Sequence, residues 1–366
     1  MKKVGFVGWR GMVGSVLMER MKENDDFDAI EAVFFSTSQA GLQAPNYAIH
    51  AMDTLQDAYD INRLSQMDII ISTQGSEYTQ RVLPELERVN FTGYWIDAAS
   101  HLRMKENALI VLDPINREHI DQAIQEGVKY FVGGNCTVSL LMLALDGLLS
   151  AKVIDWISTM SYQAVSGAGA KAMSELLAQS EFMYSKSTDK SDMLSVEKEM
   201  RASTHLDTFP QSSLPAALAY NVLPWIDAKL DNGQSKEEWK AQAELNKVLN
   251  LDGGGTIAVD GICVRVPALR AHSQALTIQL NEDIPLSEVE NLIKTANPWV
   301  QYIENDPEAT WHNLTPQSVS GSLNIAVGRL KRSNTSNRHI QLFTVGDQLL
   351  WGAAEPLRRM LNILVG

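Results

Sequence analysis

Short apolar segments alternate with amphipathic or polar segments along the chain to about residue 133. The pattern predicts strands at residues 4–7, 31–35, 68–72, 94–97, 109–112 and 130–132, separated by helices or loops that include helices over 12–22 and 81–89. Such alternation is typical of a doubly wound parallel sheet. Ligands of these sheets bind beyond the carboxyl ends of the strands, so residues 73–75 and 98–100 are expected to lie near a ligand.

From residue 153 onward, longer strand-like segments mix with helical ones. Strands are predicted at 157–165, 261–266, 273–280 and 324–332, and helices at 138–149, 170–183, 235–250 and 286–295. This mixture predicts an antiparallel or mixed sheet with helices on one face. The polar interval 186–208 is expected at the surface, and the glycine run at 252–255 is expected to form a flexible turn.

The C-terminal segment carries an apolar stripe at three- and four-residue spacing, which predicts a helix. The stripe consists of Leu350, Ala354, Leu357, Leu361 and Leu364. Pro356 is expected to kink or restart this helix, because proline lacks a backbone N–H. We expect the helix to fold back onto the first domain, which then comprises residues 1–133 and 347–366, with residues 134–346 as the second domain.

Glycines spaced three apart follow the first predicted strand, at Gly8, Gly11 and Gly14. In dinucleotide-binding loops, one glycine permits a tight turn, a second lets the backbone approach the pyrophosphate, and a third lets helix and strand pack closely. The phosphates then lie at the N-terminus of the helix. The spacing differs from the commoner Gly-x-Gly-x-x-Gly, but its position between a strand and a helix indicates a dinucleotide site.

The end of the second predicted strand indicates which dinucleotide binds. An NAD site usually places an acidic residue there, about twenty residues beyond the glycine loop, to bind the ribose hydroxyl. This chain instead has Ser36, Thr37, Ser38 and Gln39, with the cationic Arg10 inside the glycine loop. Hydroxyl and guanidinium groups suit a 2′-phosphate, so the sequence favours NADP. The alternative is a polar turn beside a solvated arginine.

The segment 131–140 ends a predicted strand on two glycines and places Cys136 on the first turn of an apolar helix. Roughly four unpaired N–H groups and the positive end of the helix dipole favour a thiolate at that position and can stabilise an oxyanion beside it. Cys136 is therefore a candidate nucleophile. The alternative is a small buried apolar residue, which is our interpretation of Cys263 in its alternating strand.

Composition narrows the function classes. A formal net charge of −13 argues against nucleic acid as the main partner, because phosphate backbones require basic surfaces. Two cysteines cannot form a disulfide framework, which favours a cytoplasmic location. No apolar stretch reaches the roughly 18 residues of a membrane span, and no apolar targeting stretch precedes the first strand. The seven histidines show no metal-site spacing with the cysteines, so no metal is predicted.

An activated cysteine beside a nicotinamide has few chemical uses. A thiolate can attack an aldehyde, hydride can leave for NADP, and a nucleophile such as phosphate or water can cleave the resulting thioester. This scheme requires a base near the cysteine. We choose His272, because imidazole exchanges protons at neutral pH and because the segment 265–274 is predicted to be the turn of a strand pair.

The chain resembles the aspartate-β-semialdehyde dehydrogenases, in particular those of Gram-negative bacteria, along nearly its whole length. The matching segments, in chain order, are 8–14, 34–38, 95–99, 133–138, 162–164, 259–261, Arg265, 272–274 and 346–359. The resemblance implies an α/β architecture like that of glyceraldehyde-3-phosphate dehydrogenase, with a Rossmann-type NADP-binding domain and an α+β catalytic and dimerisation domain that contains a mixed sheet.

The resemblance also implies a reaction. L-Aspartate 4-semialdehyde, phosphate and NADP are converted reversibly to 4-phospho-L-aspartate and NADPH, and the reductive direction serves the biosynthesis of lysine, threonine, methionine and diaminopimelate. Enzymes of this kind assemble as homodimers that sometimes pair into tetramers, and the implied partners are small molecules.

The resemblance further implies roles for individual residues. The implied catalytic residues are Cys136 as nucleophile, His272 as acid/base, Gln163 as the residue that orients the substrate, and Asn135 in the same pocket. The implied substrate-binding residues are Arg103 and Lys240 for phosphate, and Arg265 and Glu237 for the α-carboxylate and amino groups. The implied cofactor-binding residues are Gly8, Arg10, Gly11, Met12, Val13, Ser36, Thr37, Gln74, Ser166, Gly167 and Gln348.

The residue types suit these roles. A guanidinium can bind a carboxylate through two parallel hydrogen bonds, and Arg and Lys together neutralise a phosphate. Glu237 and Lys240 share one helix face, where a surface ion pair is the alternative. Arg265 lies between two valines in a predicted strand, where burial without an anion would be costly. Two departures from the family pattern, Ala168 and His101, bear on fine specificity more than on the reaction class.

Three other functions remain open from the sequence. Another thioester-forming reductase, such as N-acetylglutamyl-phosphate reductase or a glyceraldehyde-3-phosphate dehydrogenase, would share the cysteine and histidine but differ at Glu237, Lys240 and Arg265. A non-catalytic NADP-binding regulator would not depend on Cys136. A cofactor-independent cysteine hydrolase would leave the glycine loop without a purpose.

Overall fold

The first of two sheets in this computed structural model is entirely parallel. The structure describes residues 1–48, 50–188, 190–251 and 255–366. Within these ranges the first sheet contains the strands Lys2–Val7 (β1), Ile30–Ser36 (β2), Gln56–Asp57 (β3), Ile69–Ser72 (β4), Tyr94–Asp97 (β5), Ala108–Val111 (β6) and Tyr130–Gly133 (β7). Their order is β3-β2-β1-β4-β5-β7-β6, and every neighbouring pair is parallel. The predicted doubly wound parallel sheet is confirmed.

The strand order reverses beside β1, so the carboxyl ends of β1 and β4 border a crevice suited to a ligand. The helices of this region are Met12–Glu23 (α1), Ile61–Leu64 (α2), Ser76–Arg88 (α3) and Asp113–Gln125 (α4). Helix α3 begins at Ser76 instead of residue 81, because Tyr78 and Thr79 extend its buried face toward the sheet.

The second sheet is mixed, as predicted. Its described strands are Ile154–Ala164 (β8), Ala258–Val266 (β9), His272–Leu280 (β10), Val300–Tyr302 (β11), Ile325–Ser333 (β12) and Ser336–Gly346 (β13). The order is β11-β12-β13-β10-β8-β9; β8–β9 and β11–β12 are parallel pairs and the others are antiparallel. Strand β13 was not predicted, although it pairs with β10 along most of its length.

The position of β8 corrects one prediction. Strands β9 and β10 were expected to form a pair joined by a turn, but β8 lies between them in the sheet. The connection between β9 and β10 therefore passes beyond the end of β8, and His272 is the first residue of β10. The closeness of β9 and β10 in sequence favoured a hairpin, whereas the eleven-residue β8 lies between them and pairs with both.

The helices that accompany the second sheet include one that is apolar on all sides. They are Cys136–Ser150 (α5), Ala170–Ser185 (α6), Met193–Ser203 (α7), Lys236–Val248 (α8), Leu286–Thr295 (α9), Pro307–Asn313 (α10) and Pro316–Val319 (α11). Helix α5 buries 12 of its 15 residues, as expected for a helix without a polar face. It lies in the core among β10, β12, α8 and α9, so the position of its first residue, Cys136, is tightly defined.

The C-terminal segment folds back onto the first sheet, as predicted. A π-helical turn at Leu350–Ala354 precedes the helix Glu355–Val365 (α12), and Pro356 lies in the first turn of α12. Proline thus restarts the helix where its missing N–H costs nothing. The helix α12 packs against β5, β6 and β7, and its apolar residues share one core cluster with residues of β1, β2 and β4.

Two polar segments were predicted to lie outside the sheets and their main helices. The interval 186–208 lies largely at the surface, as predicted, but contains α7, which was not predicted because its apolar residues are few and partly exposed. The glycine run expected to be a flexible turn lies outside the described residues except for Gly255. The domain boundaries at 133/134 and 346/347 stay a prediction. None of the described helices is long and apolar enough to cross a membrane.

Candidate active site

Cys136 occupies the first turn of α5, as the sequence predicts. Asn135 caps this helix: its Oδ1 accepts hydrogen bonds from the backbone N–H groups of Thr137 (3.0 Å) and Val138 (3.3 Å). An asparagine cap satisfies N–H groups that would otherwise lack a partner. Two of the donors expected to stabilise an oxyanion are therefore already used, and the N–H of Cys136 is the first-turn donor left for that purpose.

Glu237 contacts three polar side chains near the cysteine, those of Asn135, Gln163 and Lys240. Its Oε1 accepts hydrogen bonds from Asn135 Nδ2 (3.0 Å) and Gln163 Nε2 (3.2 Å), and its Oε2 lies 2.8 Å from Lys240 Nζ. Lys240 also pairs with Asp227 Oδ2 at 2.7 Å. Glu237 and Lys240 are buried, so they do not form the surface ion pair that was the alternative. Burial raises the pKa of Glu237, but Lys240 and the two amide donors outweigh it and hold the pKa below its ordinary value.

Arg103 and Glu244 form a second buried ion pair at the same loop. Arg103 Nη1 lies 3.2 Å from Glu244 Oε1, and Arg103 Nε donates to the carbonyl oxygen of Gly133 at 2.8 Å. The other carboxylate oxygen of Glu244 accepts the backbone N–H of Asn135 at 2.6 Å. Glu244 therefore fixes both Arg103 and the strand-to-helix loop that carries Cys136.

Arg265 and His272 meet at the peptide groups of Ala164. Gln163 and Arg265 are direct neighbours in the β8–β9 register. Arg265 Nη1 donates to the Ala164 carbonyl oxygen at 2.8 Å, and the Ala164 N–H donates to His272 Nδ1 at 3.0 Å. Because Nδ1 accepts, the neutral imidazole carries its proton on Nε2.

His272 is fully buried and neutral at physiological pH. Burial, with a smaller contribution from the charge of Arg265, lowers the pKa of His272 to about 3. Its Nε2 has no hydrogen-bond partner among the described residues. Buried polar groups are nearly always paired, so an orphaned Nε2–H indicates a place for a ligand atom.

Cys136 is partly exposed as a residue, but its sulfur is buried and the thiol is protonated. Burial of the sulfur, and secondarily the negative charge of Glu237, raise the pKa of Cys136 to about 12, against the opposing effects of Arg103, Arg265 and Lys240. This shift opposes the thiolate that the helix N-terminus was expected to favour. Desolvation disfavours the charged form more strongly than one helix terminus favours it.

A groove of about 380 Å³ lies at the carboxyl ends of β1, β2 and β4. It is lined by Gly8, Trp9, Arg10, Gly11, Phe35, Ser36, Thr37, Thr73 and Gln74. Gly8 has φ +81°, which only glycine adopts readily, and a Cβ there would lie 2.6 Å from the carbonyl carbon of Thr73. A Cβ on Gly14 would lie 2.3 Å from the Gly8 oxygen, so α1 packs directly on the loop. This backbone cradle fits a dinucleotide phosphate.

Arg10 and Ser36 face each other across the groove. Arg10 Nη2 donates to Ser36 Oγ at 2.9 Å, and the same oxygen accepts the N–H groups of Ser38 (3.3 Å) and Gln39 (3.0 Å). Ser36 therefore does organise a polar turn, but Arg10 is bound to this turn and is not merely solvated. The arrangement places a guanidinium and a hydroxyl together at the strand end.

The remaining predicted cofactor residues fall into two places. Met12 and Val13 form the first turn of α1, next to the groove. Ser166 and Gly167 lie in a turn at Val165–Ala168, and a Cβ on Gly167 would lie 3.3 Å from the imidazole Cε1 of the candidate histidine. Gln348 hydrogen-bonds to Ser166. These last three residues therefore lie with the histidine.

Several residues at the site were not identified from the sequence. Glu244 was missed, although it lies on the same face of α8 as Glu237 and Lys240. Its i+7 spacing from Glu237 is the signal that could have identified it. Asp227 is distant in sequence and gave no signal. Gly352 lies against the cysteine, since a Cβ there would be 2.5 Å from the Cβ of Cys136.

Three further residues discussed in the sequence analysis, Cys263, His101 and Ala168, take no part in the hydrogen bonds around Cys136 described above. Cys263 is buried in β9, as predicted. His101 Nδ1 lies 3.1 Å from Gln80 Nε2 at an exposed position, and Ala168 ends the turn that contains Gly167. In the described ranges, no group of three or more His, Cys, Asp or Glu side chains could hold a metal ion.

The parallel sheet with its phosphate-binding loop, together with the mixed sheet, defines a two-domain NAD(P)-binding oxidoreductase. Residues 3–123 match the family model of the semialdehyde dehydrogenase NAD binding domain, and residues 145–351 match that of the semialdehyde dehydrogenase dimerisation domain. The chain belongs to the semialdehyde dehydrogenase family.

Solved structures agree with this assignment. Aspartate semialdehyde dehydrogenase from Francisella tularensis is 50% identical, with 100% of each chain covered and a TM-score of 0.96. The predicted resemblance to aspartate-semialdehyde dehydrogenases is thereby confirmed. Two structures share the fold at lower identity, each covering 100% of this chain and 98% of theirs. They are aspartate semialdehyde dehydrogenase II from Vibrio cholerae complexed with ASA (23%, TM-score 0.80) and aspartate semialdehyde dehydrogenase with NADP from Candida albicans (17%, 0.69).

Proposed function

We propose that the protein is an aspartate-semialdehyde dehydrogenase that interconverts L-aspartate 4-semialdehyde, phosphate and NADP with 4-phospho-L-aspartate and NADPH through a thioester on Cys136. The observation that carries this proposal is a partly exposed cysteine at a helix N-terminus whose sulfur interacts electrostatically with Arg103, Lys240 and Arg265. A phosphorylating aldehyde dehydrogenase must hold two anionic groups beside its nucleophile, and buried cations provide this.

Arg265 is the residue that best suits the α-carboxylate of the substrate. It is buried, and its hydrogen bond goes to a neutral carbonyl oxygen, so its charge is left for an anion. Arg103 and Lys240 instead form buried pairs with carboxylates and can exchange those contacts for phosphate oxygens. Glu237, kept ionised by its partners, can receive the amino group.

His272 acts on the oxygen of the reacting carbonyl. When the sulfur adds to the aldehyde, that oxygen becomes negatively charged, and the Nε2–H of His272 can donate a hydrogen bond to it. Because the pKa of Cys136 lies far above neutral and Nε2 already carries a proton, the thiol proton passes to the same carbonyl oxygen as the C–S bond forms, which gives a neutral thiohemiacetal. His272 therefore donates a hydrogen bond in the addition step. Its base role in the next step requires the tautomer with the proton on Nδ1, which frees Nε2 to take the hydroxyl proton of the adduct when hydride leaves for NADP. Gln163 holds Glu237 in place, and bound NADP supplies the hydride acceptor.

We propose NADP as the preferred cofactor because of the Arg10–Ser36 pair. Both groups can bind a 2′-phosphate, and Arg10→Glu would place a negative charge against it. This variant is expected to lower kcat/KM for NADP by about ten-fold or more while kcat/KM for NAD changes by less than about three-fold. A parallel loss with both cofactors in steady-state assays would contradict the 2′-phosphate role.

The dimerisation-domain match also supports a homodimer as the assembly. Cyclic dimers are the commonest closed oligomers. Light scattering that gives the mass of a monomer at micromolar concentration would contradict this part of the proposal.

Mass spectrometry of a trapped adduct tests the reaction itself. Protein incubated with aspartate semialdehyde and NADP without phosphate is expected to carry an acyl group on Cys136, because the thioester forms but lacks its normal acceptor. The Cys263→Ala variant should acquire the same adduct and the Cys136→Ala variant none. N-acetylglutamate semialdehyde and glyceraldehyde 3-phosphate serve as competing substrates, and a stronger adduct with either would reassign the substrate.

A further inference from the structure

The residue immediately before His272 has an unfavourable backbone conformation. Ala271 is fully buried and has φ +70°, the left-handed region that residues with a Cβ rarely adopt. Such a conformation persists only where the surrounding contacts impose it. Because Ala271 and His272 share a peptide group, the left-handed turn also sets the direction in which β10 and its first side chain begin.

Gln348 supplies the contact that holds this turn. Its Oε1 accepts the backbone N–H of Ala271 at 2.8 Å, and its Nε2 donates to Ser166 Oγ. The side chain is buried, so these bonds are not replaced easily by water. Gln348 therefore ties the peptide group between Arg270 and Ala271 to the turn that carries Gly167, which packs against the imidazole.

The residue before Gln348 strengthens the same attachment. Asp347 is fully buried, and its Oδ2 pairs with Arg270 Nε at 2.7 Å and accepts the N–H of Gly321 at 2.6 Å. Its Oδ1 accepts the N–H of Leu349 at 2.9 Å, which fixes the chain on the other side of Gln348. Two consecutive residues of the C-terminal segment thus hold two consecutive residues before His272.

We infer that Gln348 is a positioning residue for His272, because it holds the left-handed peptide at Ala271 that aims the imidazole. This inference deepens the proposed function and rests on it for the role of His272. The sequence resemblance implied that Gln348 is a cofactor-binding residue, but both ends of its amide bind protein groups. A positioning residue should affect turnover more than cofactor binding.

Kinetics of Gln348→Leu and Gln348→Glu test the inference. Leucine has similar volume but leaves the Ala271 N–H without a partner, so kcat should fall by about ten-fold or more, with the Kd for NADPH within about three-fold of wild type. Glutamate still offers an oxygen to Ala271 and can accept the Ser166 hydroxyl proton, so it should restore kcat to within about three-fold. Gln341→Ala is the matched control, because Gln341 lies in β13, the strand just before Gln348, and its side chain donates to Thr277 Oγ1. Wild-type kcat in Gln348→Leu, or weaker NADPH binding at unchanged kcat, would overturn the inference.

Histidine nitrogen NMR gives a readout that does not depend on activity. In wild type and Gln348→Glu, the resonances of His272 should show Nδ1 unprotonated and Nε2 protonated, because Ala164 donates to Nδ1. In Gln348→Leu this signature should become mixed, and an unchanged signature would count against positioning. Normal turnover by Cys136→Ala would contradict the proposed function. The NMR signature would still show whether Gln348 positions His272.

A double-mutant cycle with Ala271→Gly isolates the backbone effect. Glycine adopts the left-handed region without a Cβ penalty, so the Ala271→Gly background should need Gln348 less. The loss of kcat caused by Gln348→Leu should shrink to less than about three-fold in that background. An undiminished loss would mean that Gln348 acts by another route.

Discussion

Cys136→Ala is expected to abolish turnover, lowering kcat by at least about three powers of ten while the affinity for NADPH stays within a few-fold. No other described thiol can replace it, because Cys263 is buried in β9. The nucleotide groove lies at the ends of β1, β2 and β4 and does not include the cysteine among its lining residues. Steady-state assays in both directions and NADPH fluorescence titration measure the two quantities.

Controls separate chemistry from folding in this experiment. Alanine is smaller than cysteine and keeps the contact with Gly352, so the fold should tolerate it. Cys263→Ala is the matched cysteine variant and should retain most activity. Substantial turnover by Cys136→Ala would remove the thioester from the mechanism and favour a regulator or a different nucleophile.

His272→Asn is expected to slow turnover by about two to four powers of ten with substrate and cofactor binding intact. Asparagine cannot exchange protons, and its amide does not reach the position of the imidazole Nε2. His272→Gln extends an N–H closer to that position, so it should retain more of the hydrogen bond to the developing oxyanion than His272→Asn does. Pre-steady-state assays of thioester formation distinguish the two variants.

The histidine experiment has a matched control in His312→Asn, since His312 is exposed on α10. That variant should behave as wild type. Near-normal kcat in His272→Asn would exclude His272 as the acid/base group. Equal rates in His272→Asn and His272→Gln would instead mean that proton exchange, and not the oxyanion hydrogen bond, limits the reaction.

Periodicity predicted six of the seven strands of the parallel sheet because each of these is a short apolar run between polar segments, whereas β3, Gln56–Asp57, is polar and was missed. The strand at Tyr94–Asp97 has the bounds that the pattern predicted. Strand β13 was missed because it begins in a polar sequence, Ser336-Asn-Arg-His339, before its buried half. The place of β8 between β9 and β10 depends on sheet order, which local patterns do not determine.

In the candidate site, too, features set by neighbouring residues were predicted, and features set by residues far away in sequence were not. Cys136 was placed on a helix N-terminus from its immediate neighbours, and the structure confirms that position. The burial of its sulfur and the charge of Glu237, which oppose the predicted thiolate, arise from residues far away in sequence. Asp227 and Gly352 reach the site only through the tertiary fold. The roles of these residues stay predictions.

The packing of α12 has a consequence for how the polypeptide acquires its structure. Strand β1 leaves the ribosome long before α12, yet its buried residues Val4 and Phe6 share a core cluster with Leu357 and Leu361. Contacts between such distant positions form late and slow the search for the native state. An apolar surface on the nascent sheet therefore stays uncovered during most of translation, so chaperone binding should protect it from aggregation.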